Sequence, residues 1–122
     1  MSEVYEIALQ GMKLQKAYLE AASKNIANAN QISSSPNDVA KPFMASLNSR
    51  NEVEVIEQDI AMKAIYKPEH AKSDAQGFIY TPDINMVEQM LMLNKANRHY
   101  EANIKAFNAY KEMGAKAIEI GK

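Results

Sequence analysis

From Pro82 to Ile120 the chain reads PDINMVEQMLMLNKANRHYEANIKAFNAYKEMGAKAIEI, with no proline after Pro82 and no glycine before Gly114. Apolar or small residues recur at spacings of three and four through Met86, Met90, Leu93, Tyr100, Ile104, Phe107, Gly114 and Ile118. That is the helical period, held over many turns. A second stripe runs beside the first through Ala96, Ala106, Tyr110, Met113, Ala117 and Ile120. Two adjacent stripes make an apolar face wider than one partner helix covers, so contact is expected on more than one side. The remaining strip is charged, and Glu101–Lys105 and Glu112–Lys116 stand at the supportive i,i+4 spacing. Asn85 suits the N-cap, with Glu88 three residues on as its capping-box partner and Pro82 just outside. At about 1.5 Å per residue, roughly 35 helical residues make a rod about 50 Å long, against about 30 Å for a small domain. A chain of 122 residues cannot cover such a rod by itself.

Composition agrees with a thin, extended build. The hydrophobic share is 47%, but it leans on alanine and methionine, with no tryptophan and three phenylalanines. Burial per residue is then shallow, which suits helices in a row better than a compact ball. The formal charge is −1, from 14 basic and 15 acidic residues spread along the chain. No Lys/Arg cluster supplies a nucleic-acid footprint, so no nucleic-acid partner is expected. With no cysteine there is neither a disulfide framework nor a thiolate metal site. The opening MSEVYEIALQ lacks the basic start and apolar core of a cleavable secretory signal. The longest apolar run, Met90 to Leu93, is far too short to span a bilayer, so a membrane-spanning role is not expected.

A second helix is expected from residue 3 to about 28, with Ser2 as cap and Glu3 and Glu6 near the positive end of its dipole. Val4, Ile7, Gly11, Leu14, Tyr18, Ala21, Asn25 and Asn28 follow a 4–3 spacing for more than three heptads, the seam of a left-handed coiled coil. The expected fold is therefore mainly α. Long N- and C-terminal helices pair as an antiparallel coiled coil, with a loop and a small β hairpin or sheet between them. As one domain it divides into an axial helix at 1–30, a loop at 31–51, a small β region at 52–81 and a second axial helix at 82–122.

The middle carries weaker signals. Residues 29–51, ANQISSSPNDVAKPFMASLNSRN, are dominated by serine, asparagine and two prolines, which argues for loop. Such a length is unusual in a compact domain, so the segment is expected to be mobile or held by a partner. Glu52 to Ile56 then alternates charge with apolar residues, and Ile60, Met62, Ala64 and Tyr66 share one face of an extended segment. Asp74-Ala75-Gln76-Gly77 reads as a turn, and Phe78-Ile79-Tyr80 as a further short strand.

Catalytic chemistry finds no foothold. His70 and His99 are the only histidines and lie on different elements, without the i,i+3 or i,i+4 partners of a helical metal site. The four glycines are scattered at 11, 77, 114 and 121, so no phosphate loop is present. Ser33-Ser34-Ser35 has no histidine nearby in sequence. No cofactor, metal or catalytic residue is expected. What stands out instead is asparagine, in KNIANAN from Lys24 to Asn30 and in RHYEANI from Arg98 to Ile104. Asparagine is an indifferent helix former. In the first segment a C-cap at Asn28 or Asn30 and a register-fixing amide on the seam are both open. In the second, register is favoured for Asn97 and Asn103.

KNIANAN resembles the signature near the amino terminus of flagellar axial proteins, the rod, hook and hook-associated subunits. The stretch from Pro68 to Gly121 is similar to the bacterial flagellar basal-body rod protein family. The matching residues are Pro68, His70, Asp74, Gly77, Pro82, Val87, Glu88 and Met90, followed by Arg98, Tyr100, Glu101, Ala102, Asn103, Asn108, Lys111, Met113 and Gly121. Gln31 stands where such proteins commonly have threonine, and residues 32–50 lack the glycine-rich, aromatic segment usual after the signature.

The resemblance implies a subunit of the proximal rod, exported through the flagellar type III apparatus without signal cleavage. It would assemble helically with copies of itself and other rod proteins, meeting the MS ring and export gate at the base and the surrounding rings outside. Its terminal helices would line a central export channel, and its work would be mechanical. The expected assembly residues are Val4, Ile7, Leu14, Tyr18, Asn25, Ile26 and Asn28 on the first helix. On the last they are Met90, Leu93, Asn97, Tyr100, Asn103, Ile104, Phe107 and Ile118. The alternative is a free-standing helical adaptor or export-chaperone-like bundle.

Overall fold

The computed structural model describes residues 2–59 and 62–121. The Ser2 side chain and Ile60, to which the sequence assigned a cap and a strand face, lie outside the described residues. Helix α1 spans Ser2–Asn28, and a short 3-10 turn covers Pro36–Asp38. Four strands follow: β1 Phe43–Leu47, β2 Val53–Glu57, β3 Met62–Tyr66 and β4 Phe78–Pro82. Helix α2 runs from Met86 to Ile120.

The strands form two separate two-stranded antiparallel sheets, β1–β2 and β3–β4. In the first, Phe43 stands opposite Glu57 and Ala45 opposite Val55. Its tight connection is built by Asn48, whose Oδ1 accepts from the N–H groups of Arg50 and Glu52, both at 2.9 Å. Asn51 completes that turn at φ 62°, a left-handed conformation that asparagine tolerates. In the second sheet, Lys63 stands opposite Thr81 and Ile65 opposite Ile79. Asn85 then caps α2, its side chain accepting from the Glu88 N–H at 3.2 Å.

The helices lie side by side and antiparallel. Tyr5 meets Phe107 with ring centroids 4.4 Å apart. A Cβ built on Gly11 would stand 3.3 Å from the Asn103 amide nitrogen. Asn25 reaches Gln89 at 3.1 Å. With about 1.5 Å of rise per residue, α2 is about 50 Å long and α1 about 40 Å. In this register the last two turns of α2, from Gly114 to Ile120, run past the start of α1.

The core is thin. Its buried apolar residues are Ala17, Ala21, Ala22, Ala45, Ile79 and Ala96, and among the described residues no large side chain is completely buried. Alanines let the two helices and β1 approach closely, which gains dispersion contact but little buried area.

These findings correct the expected fold in two respects. First, coiled-coil pairing is not established. Val4 and Ile7, placed on its seam, are 49% and 71% exposed, whereas the buried α1 positions Ala17, Ala21, Ala22 and Asn25 lie toward the C-terminal half of the helix. A 4–3 spacing marks an apolar stripe but not what covers it. Second, there are two sheets rather than one, because the presumed loop contains β1. The low β propensity of its serine, asparagine and proline neighbours hides Phe43, Ala45 and Leu47, which share one strand face. Tertiary contacts override that composition.

Candidate assembly interface

Asn25, the second asparagine-motif residue on α1, is 3% exposed. Its Oδ1 accepts from the Phe43 N–H, and its Nδ2 donates to the Phe43 carbonyl at 2.9 Å and to Gln89 Oε1 at 3.1 Å. A side-chain amide has the donor and acceptor spacing of a peptide group. Asn25 therefore pairs with β1 as a neighbouring strand would, while also gripping α2. Lys24, one residue earlier, lies over the Phe43 ring at 4.9 Å and pairs with Glu20 at 3.3 Å. One turn of α1 thus fixes where β1 starts.

A second fixed point is the turn before β4. Asp74 Oδ1 accepts from the Gln76 and Phe78 N–H groups, both at 2.9 Å, and Oδ2 accepts from the Tyr80 hydroxyl at 2.7 Å. The Phe78 N–H foremost, then the Tyr80 hydroxyl, hold the Asp74 carboxyl below its ordinary range. The same hydroxyl bond, with partial desolvation, raises the Tyr80 phenol above its own. Tyr80 also exchanges both backbone hydrogen bonds with Ser33, at 2.8 and 2.9 Å. The segment after α1 is thereby tied to β4.

The expected assembly residues divide by where the fold puts them. Asn25 is buried, while Leu14, Tyr18, Ile26, Asn28, Leu93, Tyr100, Asn103, Ile104 and Phe107 are half-buried, partly covered within the chain. Val4, Ile7, Met90, Asn97 and Ile118 are exposed. Sequence reasoning missed further exposed apolar residues, Leu9, Val87, Leu91 and Met92. Their signal was present in the width of the apolar face, but no stripe at a single period includes them. Met113 and Ile120, from the second stripe, are also exposed, Ile120 at 86%. Phe43 and Gln89, the partners of Asn25, carried no signal at all. Their role depends on contacts distant in sequence.

His70 accepts a turn hydrogen bond from the Lys72 N–H at 3.0 Å, and His99 is exposed on α2. Among the described residues no three His, Asp or Glu side chains converge as a metal site. None of the described helices is long and apolar enough to cross a membrane.

Two long helices with a thin core, an overhanging end and apolar residues left uncovered are the make-up of a structural subunit that completes itself against neighbours. Residues 75–120 match a family model described as flagellar basal body rod FlgEFG protein C-terminal. The chain is 32% identical over 126 residues to the flagellar basal-body rod protein FlgC of Aquifex aeolicus, covering 96% of this chain and 94% of the relative. It is 26% identical over 129 residues to that of Escherichia coli O157:H7, covering 98% and 96%. Against the protein of the same name from Bacillus subtilis, identity is 37% over 68 residues, 56% of this chain and 45% of the relative. The chain belongs to the FlgC family of flagellar basal-body rod proteins, and its role is that of a structural rod subunit in the flagellar basal body.

Proposed function

We propose that the chain builds the proximal part of the rod, packing in a helical array against copies of itself and other rod proteins. The array would be both drive shaft and conduit across the periplasm, reached through the flagellar export apparatus. Its base would meet the MS ring and export gate, and its outside the surrounding rings. The units at 1–30 and 82–122, through helices α1 and α2, form the shaft, and the segments at 31–51 and 52–81 carry the lateral surface. The observation that supports this most directly is the C-terminal part of α2, where Met113, Ile118 and Ile120 keep 66% or more of their surface exposed. Apolar surface of this kind, unused inside the chain, marks an interaction surface. The names of the relatives support the location.

Deleting the gene should abolish swimming, and purified basal bodies from the parent strain should contain the chain in rod fractions stripped of hook and filament. A motile deletion strain, or basal bodies lacking the chain, would sink this assignment. A stable monomer found only outside basal bodies would favour a free-standing helical adaptor.

A further inference from the structure

Two sheets of two strands have four outer edges, and among the described residues two of them are closed. The outer edge of β1 is held at Phe43, where the Asn25 side chain takes both the N–H and the carbonyl. The outer edge of β4 is held at Tyr80 by Ser33 and at Phe78 by Asp74. The outer edges of β2 and β3 have no such cover among the described residues.

The ladders fix which backbone groups those edges present. Asn48 N–H donates to the Glu52 carbonyl and Gln58 N–H to the Pro42 carbonyl. The even-numbered residues of β2 therefore bond to β1, and Val53, Val55 and Glu57 direct their N–H and C=O groups outward. Lys67 N–H donates to the Gly77 carbonyl. The odd-numbered residues of β3 then bond to β4, and Met62, Ala64 and Tyr66 face outward. An open groove of about 730 Å³ between α1 and β2 leaves the first edge reachable. All five residues of β3 are exposed.

Charge distinguishes the two edges. Residues 52–59, EVEVIEQD, carry four acids, Glu52, Glu54, Glu57 and Asp59, and no base of their own. Asp59 lies 3.6 Å from Lys41, an exposed pair, and the groove beside the strand adds Lys13, Lys16 and Lys24 together with Glu6 and Glu20. Residues 62–67, MKAIYK, carry Lys63 and Lys67 and no acid. Within the chain Lys63 lies 3.8 Å from Asp83, a pair exposed on both sides. Charged edge strands commonly guard against pairing. Here like charges oppose β2 meeting β2 and β3 meeting β3, but opposite charges favour β2 meeting β3.

We infer that the outer edge of β2 in one copy pairs antiparallel with the outer edge of β3 in the next. This deepens, and rests on, the reading of the chain as a subunit that packs against its own copies. The register that satisfies the outward groups and the charges together places Val55 opposite Tyr66 and Glu57 opposite Ala64 as hydrogen-bonded pairs. Ile56 then lies opposite Ile65, and Glu54 opposite Lys67. Ile56 and Ile65 are each more than a third exposed in the single chain, at 38% and 37%, and this contact covers both. Because the two edges differ, the contact is head-to-tail and propagates from copy to copy rather than closing a pair.

The chain has no cysteine, so cross-linking reads the contact directly. Purified Ile56→Cys and Ile65→Cys chains, mixed in equal amounts and oxidised at high protein concentration, should give mainly the 56–65 disulfide, which in this mixture joins two molecules by construction. Cysteines at a directly opposed, non-hydrogen-bonded pair lie within disulfide reach. Adding Lys67→Glu to the Ile65→Cys chain should lower that yield about threefold to tenfold, and Glu54→Lys in the Ile56→Cys chain should restore it. A mixture in which 56–56 or 65–65 disulfides prevail, or in which 56–65 links form no more often than random collision gives, overturns the pairing. So does a yield that Lys67→Glu leaves unmoved. Basal bodies that contain the chain, together with failed cross-links, would remove the strand contact and leave the rod assignment. Successful cross-links from a chain absent from basal bodies would do the reverse.

Discussion

The side chain of Asn25 pairs with both backbone polar groups of Phe43, so that a helix supplies a partner at the outer edge of strand β1, opposite β2. The same amide reaches Gln89 on α2. One buried residue thereby fixes the mutual placement of α1, β1 and α2.

Replacing Asn25 by alanine leaves the Phe43 N–H and carbonyl without their partner in a protected site. Orphaned buried polar groups cost about 1–3 kcal/mol each, and because this site is only part-buried a total loss of about 2–4 kcal/mol, the lower half of the summed range, is expected. Urea unfolding of the purified chain measures the loss, and hydrogen exchange at the Phe43 amide should accelerate with it. Unchanged exchange at Phe43 would show that the clamp does not hold β1.

A pH dependence follows from the turn at Asp74. Its folded-state carboxyl is held below the ordinary value of 3.8, first by the Phe78 N–H and then by the Tyr80 hydroxyl. A depressed carboxyl contributes stability that is present above the unfolded value and lost as pH falls through the folded one. The stability gap between wild type and Asp74→Asn should therefore be constant near neutral pH and narrow below about pH 4. Tyr80 acts in the opposite range, since its raised phenol contributes fully below the ordinary value of 10.0 and loses that contribution as pH rises past it. Tyr80→Phe should move the Asp74 titration upward, which carbon-detected NMR reads at the carboxyl. An Asp74 titration identical in the two proteins would rule out the hydroxyl bond as a cause.

Much of this fold was legible in the sequence where structure is local. The long helix, its Asn85 cap, the Asp74–Gly77 turn and the strands around Val53, Met62 and Phe78 each follow from residues a few positions apart. β1 was not legible, because its order depends on Asn25, 18 residues away, and on pairing across the Asn48 turn. Within the stretch expected to be mobile or held by a partner, the chain itself supplies ties, Ser33 against Tyr80 and Ser35 accepting from the Asn37 N–H. The helical stripes were visible, but periodicity does not say whether a stripe faces another part of the chain or a neighbour. Only the structure separates Leu14, half-buried, from Ile7, which is not.

Gly77 offers a test of backbone demand. Its φ is +88°, and a Cβ there would stand 2.9 Å from the Tyr66 ring and 3.1 Å from the Pro68 Cβ. Alanine is both strained in that conformation and too large for that space. Gly77→Ala should cost about 1–3 kcal/mol from backbone strain alone. The Tyr66–Phe78 ring contact, 5.4 Å between centroids, should loosen too, since Tyr66 must shift. Equilibrium unfolding and aromatic proton shifts of Tyr66 report the two effects. A variant as stable as wild type would mean that the turn adopts another conformation in solution.

The final prediction separates folding from assembly by contrasting residues on the same two helices. Phe107 is half-buried and meets Tyr5 edge-on within the chain. Phe107→Ala should lower the stability of the isolated chain by about 2 kcal/mol, below the 3–5 typical of a fully buried aromatic, because part of the ring is already in water. Ile7 and Ile118 are 71% and 66% exposed and support little inside the chain. Ile7→Lys and Ile118→Glu should each leave monomer stability within about 0.5 kcal/mol, as surface substitutions do. If these residues are covered by neighbouring subunits, the same two changes bury an unpaired charge at every repeat of the array, a penalty large enough to block assembly. Swimming and recovery of the chain in basal bodies should then be lost while the purified variants unfold at the wild-type urea midpoint. Motile Ile7→Lys and Ile118→Glu strains would place the assembly surface elsewhere on the helices. A lowered urea midpoint for either variant would instead show that the residue belongs to the subunit's own core.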